Sequence, residues 1–358
     1  MNNRMFAATR KGLIEYTRQD NLWTHRCTHF LGEPVTNVLH DARDGTLYAA
    51  LDLGHFGVKL HRSQDAGATW QELEPPKYPK SDCPDAPALS LLWTLEAGGP
   101  DQPGRLWAGT LPGGLFRSDD HGETWVLNES LWNRPEREKW FGGGMDEPGI
   151  HSICVDPRNS WRVAIAVSCG GVWVTEDDGE SWRIGSHGLR AEYVPPEAEF
   201  DPVTQDPHIM VQCLSAPDVY WIQHHNGIFK CEDNLESWTE ITDFAVSKFG
   251  FTVAVHPENP DIAWFAPAVK DSARYPVDGK VVVTRTKDGG KSFEVIRDGL
   301  PQDQAFDLVY RHGLAVNDTG TQLLMGSTTG SLWSSDSSGN SWVLVSAHLP
   351  PVYAVKFA

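Results

Sequence analysis

The chain has 358 residues, of which 40% are hydrophobic and 22% are charged, and its formal net charge is −18. This composition is typical of a globular protein with a large core, and the negative charge argues against nucleic acid or an anionic membrane as the main partner. No run of about 18 apolar residues occurs, so a membrane-spanning helix is not expected.

The first predicted element is a strand within MNNRMFAATRKGLIEY at the start of the chain. This stretch lacks the long apolar segment of a signal peptide, so we expect a cytoplasmic protein, with a trimmed secreted protein as the alternative. The six cysteines form no C-x-x-C pair, which argues against a zinc knuckle or a redox motif. They are Cys27, Cys83, Cys154, Cys169, Cys213 and Cys231. The fifteen tryptophans require an architectural or a binding role.

A short pattern then recurs along the chain. Its copies read SQDAGATW (63–70), SDDHGETW (118–125), TEDDGESW (175–182), CEDNLESW (231–238), TKDGGKSF (286–293) and SSDSSGNSW (334–342), with a degenerate TRQDNLW at 17–23. The shared aspartates are Asp65, Asp120, Asp177, Asp233, Asp288 and Asp336, which lie 55, 57, 56, 55 and 48 residues apart. A nearly fixed period of this length indicates a repeat architecture.

Each copy lies between two short apolar strands, such as GGLFRS and TWVLN, and therefore forms the loop of a β-hairpin. Two further strands precede it, for example GIHSICVD and RVAIAVS. Four strands in about 40 to 50 residues are typical of one propeller blade. We therefore predict an all-β, seven-bladed β-propeller that forms a single domain over residues 1–358, without a helix of useful length.

The first unit supplies only three strands, at about residues 4–28, and the segment VYAVKFA at 352–358 can supply the fourth. We predict that this C-terminal strand closes the ring as the innermost strand of blade one, because closure leaves no open sheet edge. The other blades are predicted at 35–74, 88–128, 149–186, 207–241, 250–297 and 307–346.

The recurring pattern, S/T-x-D-x-G-x-T/S-W, resembles the Asp-box or BNR repeat of the sialidase-like superfamily over almost the whole chain. We expect the aspartate to accept hydrogen bonds within the turn, the glycine to take a positive φ, and the aromatic residue to pack between sheets. The chain is similar to bacterial BNR-repeat proteins of the glycosyl hydrolase type. Sialidase activity is not implied, since the Phe/Tyr-Arg-Ile-Pro motif is missing and no arginine triad can be assigned.

The hairpin loops mark one face of the propeller, so functional residues are expected on the opposite face, at the mouth of the channel. Five histidines are predicted there: His55, His151, His208, His224 and His225. They could hold a divalent metal (Mn²⁺, Zn²⁺ or Ca²⁺) or supply a general base, and no organic cofactor is expected. The alternative is a set of ordinary loop histidines bonded to backbone or water.

An acidic pair, Asp146 and Glu147, follows the triple glycine 142–144 and could supply a general acid for glycosidic cleavage. His151 and Tyr193 complete the predicted catalytic residues, and Trp140 together with Tyr193 could stack on a sugar. A pair of solvated loop carboxylates is the alternative for Asp146 and Glu147.

Three cationic residues, Arg10, Lys270 and Arg274, are predicted to bind a carboxylated or otherwise anionic substrate. Cys169 could act as a nucleophile beside a histidine, although burial of a small residue is the simpler explanation.

The sequence therefore predicts an enzyme that acts on a carbohydrate or a related polar or anionic molecule, as a glycoside hydrolase or a metal-assisted lyase. A metal-dependent lactonase-type hydrolase and a non-catalytic protein-interaction propeller are the alternatives. The expected partner is a saccharide or another small molecule, with neither nucleic acid nor membrane, and the oligomeric state is left open.

Overall fold

The computed structural model describes residues 2–20, 22–80 and 86–358, and it is built from seven four-stranded antiparallel sheets. Cys83 lies outside the described residues. Sheet one contains β1 (Arg4–Thr9), β2 (Gly12–Gln19), β3 (Leu22–His29) and the C-terminal β28 (Val352–Phe357). Strand β28 pairs with β1, so the predicted closure by the C-terminus is confirmed.

The next three sheets follow one another along the chain. Sheet two contains β4 (Val35–Asp41), β5 (Thr46–Asp52), β6 (Val58–Ser63) and β7 (Gln71–Leu73). Sheet three contains β8 (Leu91–Ala97), β9 (Leu106–Leu111), β10 (Leu115–Ser118) and β11 (Val126–Leu127). Sheet four contains β12 (Gly149–Val155), β13 (Val163–Ser168), β14 (Gly171–Thr175) and β15 (Arg183–Ile184).

The last three sheets have the same strand order. Sheet five contains β16 (Pro207–Gln212), β17 (Tyr220–His224), β18 (Ile228–Cys231) and β19 (Thr239–Ile241). Sheet six contains β20 (Gly250–His256), β21 (Asn259–Pro267), β22 (Val283–Thr286) and β23 (Glu294–Ile296). Sheet seven contains β24 (Leu314–Val316), β25 (Leu323–Gly326), β26 (Leu332–Ser335) and β27 (Val343–Ser346).

Helical structure among the described residues is limited to short turns. The α-helical turn α1 spans Glu129–Trp132, and five 3₁₀ turns span Gly54–Phe56, Pro135–Lys139, Pro196–Ala198, Val277–Gly279 and Arg311–Gly313. None of these helices is long and apolar enough to cross a membrane. The chain therefore has the predicted all-β fold of a seven-bladed β-propeller.

The described residues divide into two compact units. The three-sheet unit comprises Glu33–Ser186 with Asp201–Asp206 and holds sheets two, three and four. The four-sheet unit comprises residues up to Gly32, His187–Phe200 and Pro207–Ala358, and it holds sheets one, five, six and seven. The prediction of a single domain stays a prediction.

Burial on both faces of the sheets explains the continuous apolar strands. In the three-sheet unit, strand β9 (LWAGTL) is buried at every position, because its sheet packs against sheet two on one side and sheet four on the other. The tryptophans have mainly an architectural role. Five are fully buried within the sheets: Trp107, Trp173, Trp221, Trp264 and Trp333.

Candidate functional site

The repeated turns are the connections between the third and fourth strands of sheets two to seven. In sheet three, the Asp120 carboxylate accepts hydrogen bonds from the Ser118 hydroxyl at 2.8 Å, the Thr124 N–H at 2.9 Å and the Thr124 hydroxyl at 2.6 Å. The Gly122 N–H donates to the Ser118 oxygen at 2.9 Å, and Gly122 takes a φ of 84°. A glycine accommodates this conformation without steric cost.

Four other turns use the same bonding scheme. The acceptors are Asp65 (donors Ser63 and Thr69), Asp177 (Thr175 and Ser181), Asp233 (Cys231 and Ser237) and Asp288 (Thr286 and Ser292). Hydrogen bonds from Thr69 and Ser63 lower the pKa of Asp65 to about 2, and those from Ser292 and Thr286 do the same for Asp288. These carboxylates are occupied in holding their own turns.

The seventh sheet corrects one predicted residue. Ser337, and not Asp336, occupies the position of the turn aspartate, because the Ser341 N–H donates to the Ser337 hydroxyl at 3.0 Å and the Gly339 N–H donates to Ser335 at 3.0 Å. Asp336 instead pairs with Arg18 at 2.6 Å and accepts from Gln322 at 3.0 Å. The turn keeps its backbone with a hydroxyl in place of the carboxylate.

The non-repeating residues of sheets five and six form a histidine–aromatic cluster, which we define as Tyr193, His208, His225, Phe249 and Phe251. The His225 ring contacts Tyr193, His208 and Phe249, with centroid distances of 5.0, 5.4 and 5.9 Å. The residues of the cluster lie at the starts of β16 and β20, in the segments before these two strands, and in the connection from β17 to β18. By strand direction, this is the end of sheets five and six opposite their repeated turns.

His208 is the buried histidine of this cluster. Its ring is 3% exposed and stacks on Phe251 with a centroid distance of 4.5 Å and an interplanar angle of 15°. Nδ1 lies 2.6 Å from the carbonyl oxygen of Gly250. In the neutral ring this contact fixes the proton on Nδ1 and makes Nε2 the acceptor or metal-ligating atom.

Tyr193 is held beside His225 by the backbone of the preceding residue. The Glu192 N–H donates to the side-chain oxygen of Asn226 at 2.9 Å. The Glu192 carboxylate in turn accepts from Lys248 at 2.8 Å and Arg190 at 2.7 Å, and these bonds lower its pKa to about 2. The Tyr193 side chain keeps 37% of its surface exposed and is the accessible aromatic residue of the cluster.

A cationic side chain contacts the Phe251 ring of the cluster. The Arg274 guanidinium lies 5.3 Å from the centroid of the Phe251 ring and binds Asp271 at 2.5 Å. The same loop carries the exposed residues Lys270 and Tyr275. The predicted cationic loop therefore borders the cluster. Arg10 is exposed in the turn between β1 and β2 of sheet one.

His224 is the last residue of β17, and His225 lies in the bend that follows it. His224 is fully buried, its ring packs against Phe229 at 5.2 Å, and its Nδ1 accepts the Asn226 N–H at 3.2 Å. Of the predicted histidine ligands, the four-sheet unit brings His208 and His225 into contact.

The other two histidines belong to the three-sheet unit. His151 is buried on β12, with Nδ1 2.9 Å from the Ser152 hydroxyl and its ring 5.4 Å from that of Trp93. His55 is exposed, and its ring lies 3.8 Å from that of Phe56 at an interplanar angle of 39°. A metal centre built from all five histidines stays a prediction.

Asp146 and Glu147 lie exposed on the loop that follows Trp140 in the three-sheet unit. At Gly143 this loop approaches Cys169 so closely that an added Cβ would lie 2.6 Å from the sulfur. Cys169 is 2% exposed, and its N–H donates to the Asp206 carboxylate at 3.2 Å. Cys169 is therefore a small buried residue, which agrees with the simpler of its two predicted explanations. The buried carboxylate of Asp206 was not predicted.

The prediction that Trp140 stacks on a sugar is wrong, because its side chain is buried. Its indole is 7% exposed and lies in the hydrophobic core of sheets three and four, 5.7 Å from Trp173. Arg137 covers it at 5.1 Å. No face of this ring is left for a ligand, and Tyr193 is the accessible aromatic residue of the predicted set.

Comparison with known proteins establishes the fold but not the activity. The chain matches no family model. A curated relative, the oligoxyloglucan-reducing end-specific xyloglucanase of Emericella nidulans, is 30% identical over 154 residues. That match covers 38% of this chain and only 18% of the length of the relative.

Among solved structures, an ancestral GH74 enzyme has a TM-score of 0.60 at 17% identity and covers 87% of this chain and 38% of its own. YCF48 bound to D1 peptide gives 0.58 at 14% identity, with 94% and 90% covered. A candidate 6-phosphogluconolactonase from Bacteroides fragilis gives 0.56 at 10% identity, with 99% and 97% covered. At these identities the likenesses show a shared propeller fold alone.

Proposed function

We propose that the protein is an Asp-box propeller enzyme that acts on a carbohydrate or a related anionic molecule at the histidine–aromatic cluster. The observation that carries the proposal is the contact of exposed Tyr193 with His225, which also contacts His208, in a cluster whose Phe251 ring lies against Arg274. The likeness to a xyloglucanase over part of the chain supports the substrate class. The five carboxylate turns support the Asp-box assignment.

Each residue of the cluster has a distinct proposed role. The exposed ring of Tyr193 offers a flat aromatic surface for a sugar. The half-buried imidazole of His225 is the proposed general acid or base. The Arg274 guanidinium, oriented by Asp271, has further N–H donors for a substrate carboxylate.

A divalent metal at His208 and His225 would supply an alternative chemistry, in which the ion polarises a carbonyl group and activates water. Two imidazoles suit Zn²⁺ or Mn²⁺ better than Ca²⁺, which prefers oxygen ligands. With such an ion the reaction would be of the lyase or lactonase type.

The test is an activity screen of the purified protein on xyloglucan oligosaccharides, uronate-containing oligosaccharides and sugar lactones. We expect turnover of one class and a loss of roughly 10²- to 10⁴-fold in kcat for His225→Ala, as for removal of a general acid or base. His187→Ala changes an exposed histidine of the same unit and is the matched control.

The outcomes separate the alternatives. Hydrolysis of lactones alone, lost on metal removal, would favour the lactonase-type hydrolase. Full activity of His225→Ala would remove the cluster as the active site. Absence of turnover on every substrate would favour the interaction propeller.

A further inference from the structure

A second cluster of reactive side chains lies in sheet one and has no part in the proposed function. Three atoms converge there: Oε2 of Glu15, Sγ of Cys27 and Nε2 of His29. The Glu15 and His29 atoms are 3.1 Å apart, the Glu15 and Cys27 atoms 3.4 Å, and the Cys27 and His29 atoms 3.4 Å. These contacts all form within one sheet of the four-sheet unit.

The strand register explains this convergence. Glu15 on β2 lies directly opposite Cys27 on β3, and Cys27 and His29 are two residues apart, so their side chains share one face of the strand. The pairing shifts between Glu15 and Tyr16, which leaves Arg26 as an additional residue in β3. Such a bulge redirects a side chain, and here the Arg26 guanidinium also reaches Glu15.

Two arginines bind the second oxygen of the Glu15 carboxylate, Oε1, and so fix the orientation of this group. Oε1 of Glu15 accepts from Arg4 Nε at 2.7 Å and from Arg26 Nη1 at 2.5 Å. Burial would raise the pKa of Glu15, but the bonds from Arg4, Arg26 and His29 lower it to about 2. Oε2 is therefore a fixed anionic oxygen that faces the thiol and the imidazole.

This arrangement differs from a nucleophile–base–acid relay. A relay uses one histidine nitrogen for the nucleophile and the other for the acid. In sheet one the same atom, Nε2 of His29, faces both the Cys27 sulfur and the Glu15 oxygen. Three potential ligand atoms that lie 3.1–3.4 Å from one another are compatible with a metal ligand set.

We propose that Glu15, Cys27 and His29 bind a zinc ion. Zinc bonds of about 2.0–2.3 Å at tetrahedral angles give ligand-to-ligand distances of roughly 3.3–3.6 Å, close to the three distances in sheet one. A thiolate, an imidazole and a carboxylate form a mixed set that suits Zn²⁺ among the common divalent ions. Three protein ligands leave the fourth position to water.

The charges balance when the Cys27 thiol loses its proton on binding. Zn²⁺ with the Cys27 thiolate and the Glu15 carboxylate is neutral, and Arg4 and Arg26 bind the outer carboxylate oxygen as orienting partners. Burial and the Glu15 charge raise the pKa of Cys27, so the thiol is protonated before metal enters. About one proton is released for each ion bound at neutral pH.

The experiment uses the full chain, stripped of metal with a chelator and titrated with Co²⁺ as a spectroscopic probe for zinc. We expect one Co²⁺ per chain, with thiolate-to-cobalt charge-transfer absorption that Zn²⁺ abolishes. Cys27→Ser should remove this absorption. His29→Gln should weaken binding by more than the roughly 10- to 100-fold typical of outer-shell changes.

Two control variants carry matched changes. His25→Gln alters an exposed histidine that lies two residues before Cys27 and contacts Thr28. Cys154→Ser alters a cysteine on sheet four. Both should bind Co²⁺ as the unchanged protein does, and circular dichroism verifies that every variant is folded. Failure to bind Co²⁺, or binding without thiolate absorption, overturns the proposal, as does a folded Cys27→Ser variant with unchanged affinity and absorption.

Discussion

Glu15 in sheet one and Asp65 in sheet two are both carboxylates with a pKa of about 2, but for different physical reasons. Glu15 has a side chain only 1% exposed, and its anionic form depends on two arginines and a histidine that offset the cost of burial. Asp65 lies at the surface and depends on hydroxyl and N–H donors within its own turn.

The comparison shows that a lowered pKa alone does not distinguish a candidate site from a structural turn. The Asp65 arrangement recurs in five sheets, which is what a structural element does. Among the described residues, the combination of Glu15, Cys27 and His29 occurs in one sheet, and with Arg4 it brings together side chains from three strands. Recurrence, and not ionisation, separates the two kinds of carboxylate.

The largest expected effect on the free energy of unfolding comes from a change of Glu15. Glu15→Gln should lower the free energy of unfolding at pH 7 by about 2–3 kcal/mol, because it leaves Arg4 and Arg26 without their anion. Since the folded-state pKa is below the unfolded one, this contribution is complete above about pH 4.5 and is lost as the pH falls towards 2. Urea unfolding between pH 2 and pH 7 in the presence of a chelator measures it.

Glu72→Gln is the control for that experiment. It removes an exposed carboxylate paired with Lys59, and a solvent-screened surface pair of this kind contributes little to stability. Equal losses for the two variants would contradict the distinction between the buried and the surface ion pair.

A smaller effect is expected at a repeated turn. Asp120→Ala removes the acceptor for Ser118 and Thr124 and should cost about 1–2 kcal/mol, similar to loss of a helix cap. Enzymatic activity, once assigned, should not change. Glu180→Ala in the corresponding turn of sheet four changes an exposed side chain and should stay within about 0.5 kcal/mol. A loss of activity in folded Asp120→Ala would contradict the structural role.

The smallest effect is expected in sheet seven, where a serine replaces the turn aspartate. Ser337→Asp should restore the acceptor for Ser335 and Ser341, but the adjacent charge of Asp336 opposes it, so the net stabilisation should be within about 0.5 kcal/mol. Thermal unfolding of this variant beside Ser337→Ala provides the measurement. Destabilisation by more than about 1 kcal/mol would show that the turn rejects a carboxylate.

The fold could be predicted because its signals are local and repeated. A turn motif in a nearly fixed period identified the sheets, and the three-stranded first unit required a strand from the other end of the chain. The prediction for Asp336 was wrong because SSDSSGNSW is one residue longer than the other copies, so that either Asp336 or Ser337 can be aligned with the turn aspartate. The hydrogen bond from the Ser341 N–H to Ser337 and the positive φ values of Ser338 and Gly339 select Ser337.

The site residues were harder to predict because they depend on side-chain direction and on contacts between distant segments. Trp140 follows a 3₁₀ turn that directs its ring into the core, which composition does not show. Phe249 and Phe251 look like ordinary strand residues in the sequence. The partners Glu15 and Cys27 are twelve residues apart and meet only through the register of β2 and β3.

The pairing of β28 with β1 also has a consequence for biosynthesis. The partner strand of Met5–Thr9, Val352–Phe357, is made more than 340 residues after them. Until then the free edge of β1 exposes unpaired N–H and C=O groups, which can attract other strands. The edge of β1 therefore stays unpaired while the intervening residues are made, and sheet one is completed only after Val352–Phe357 has been released.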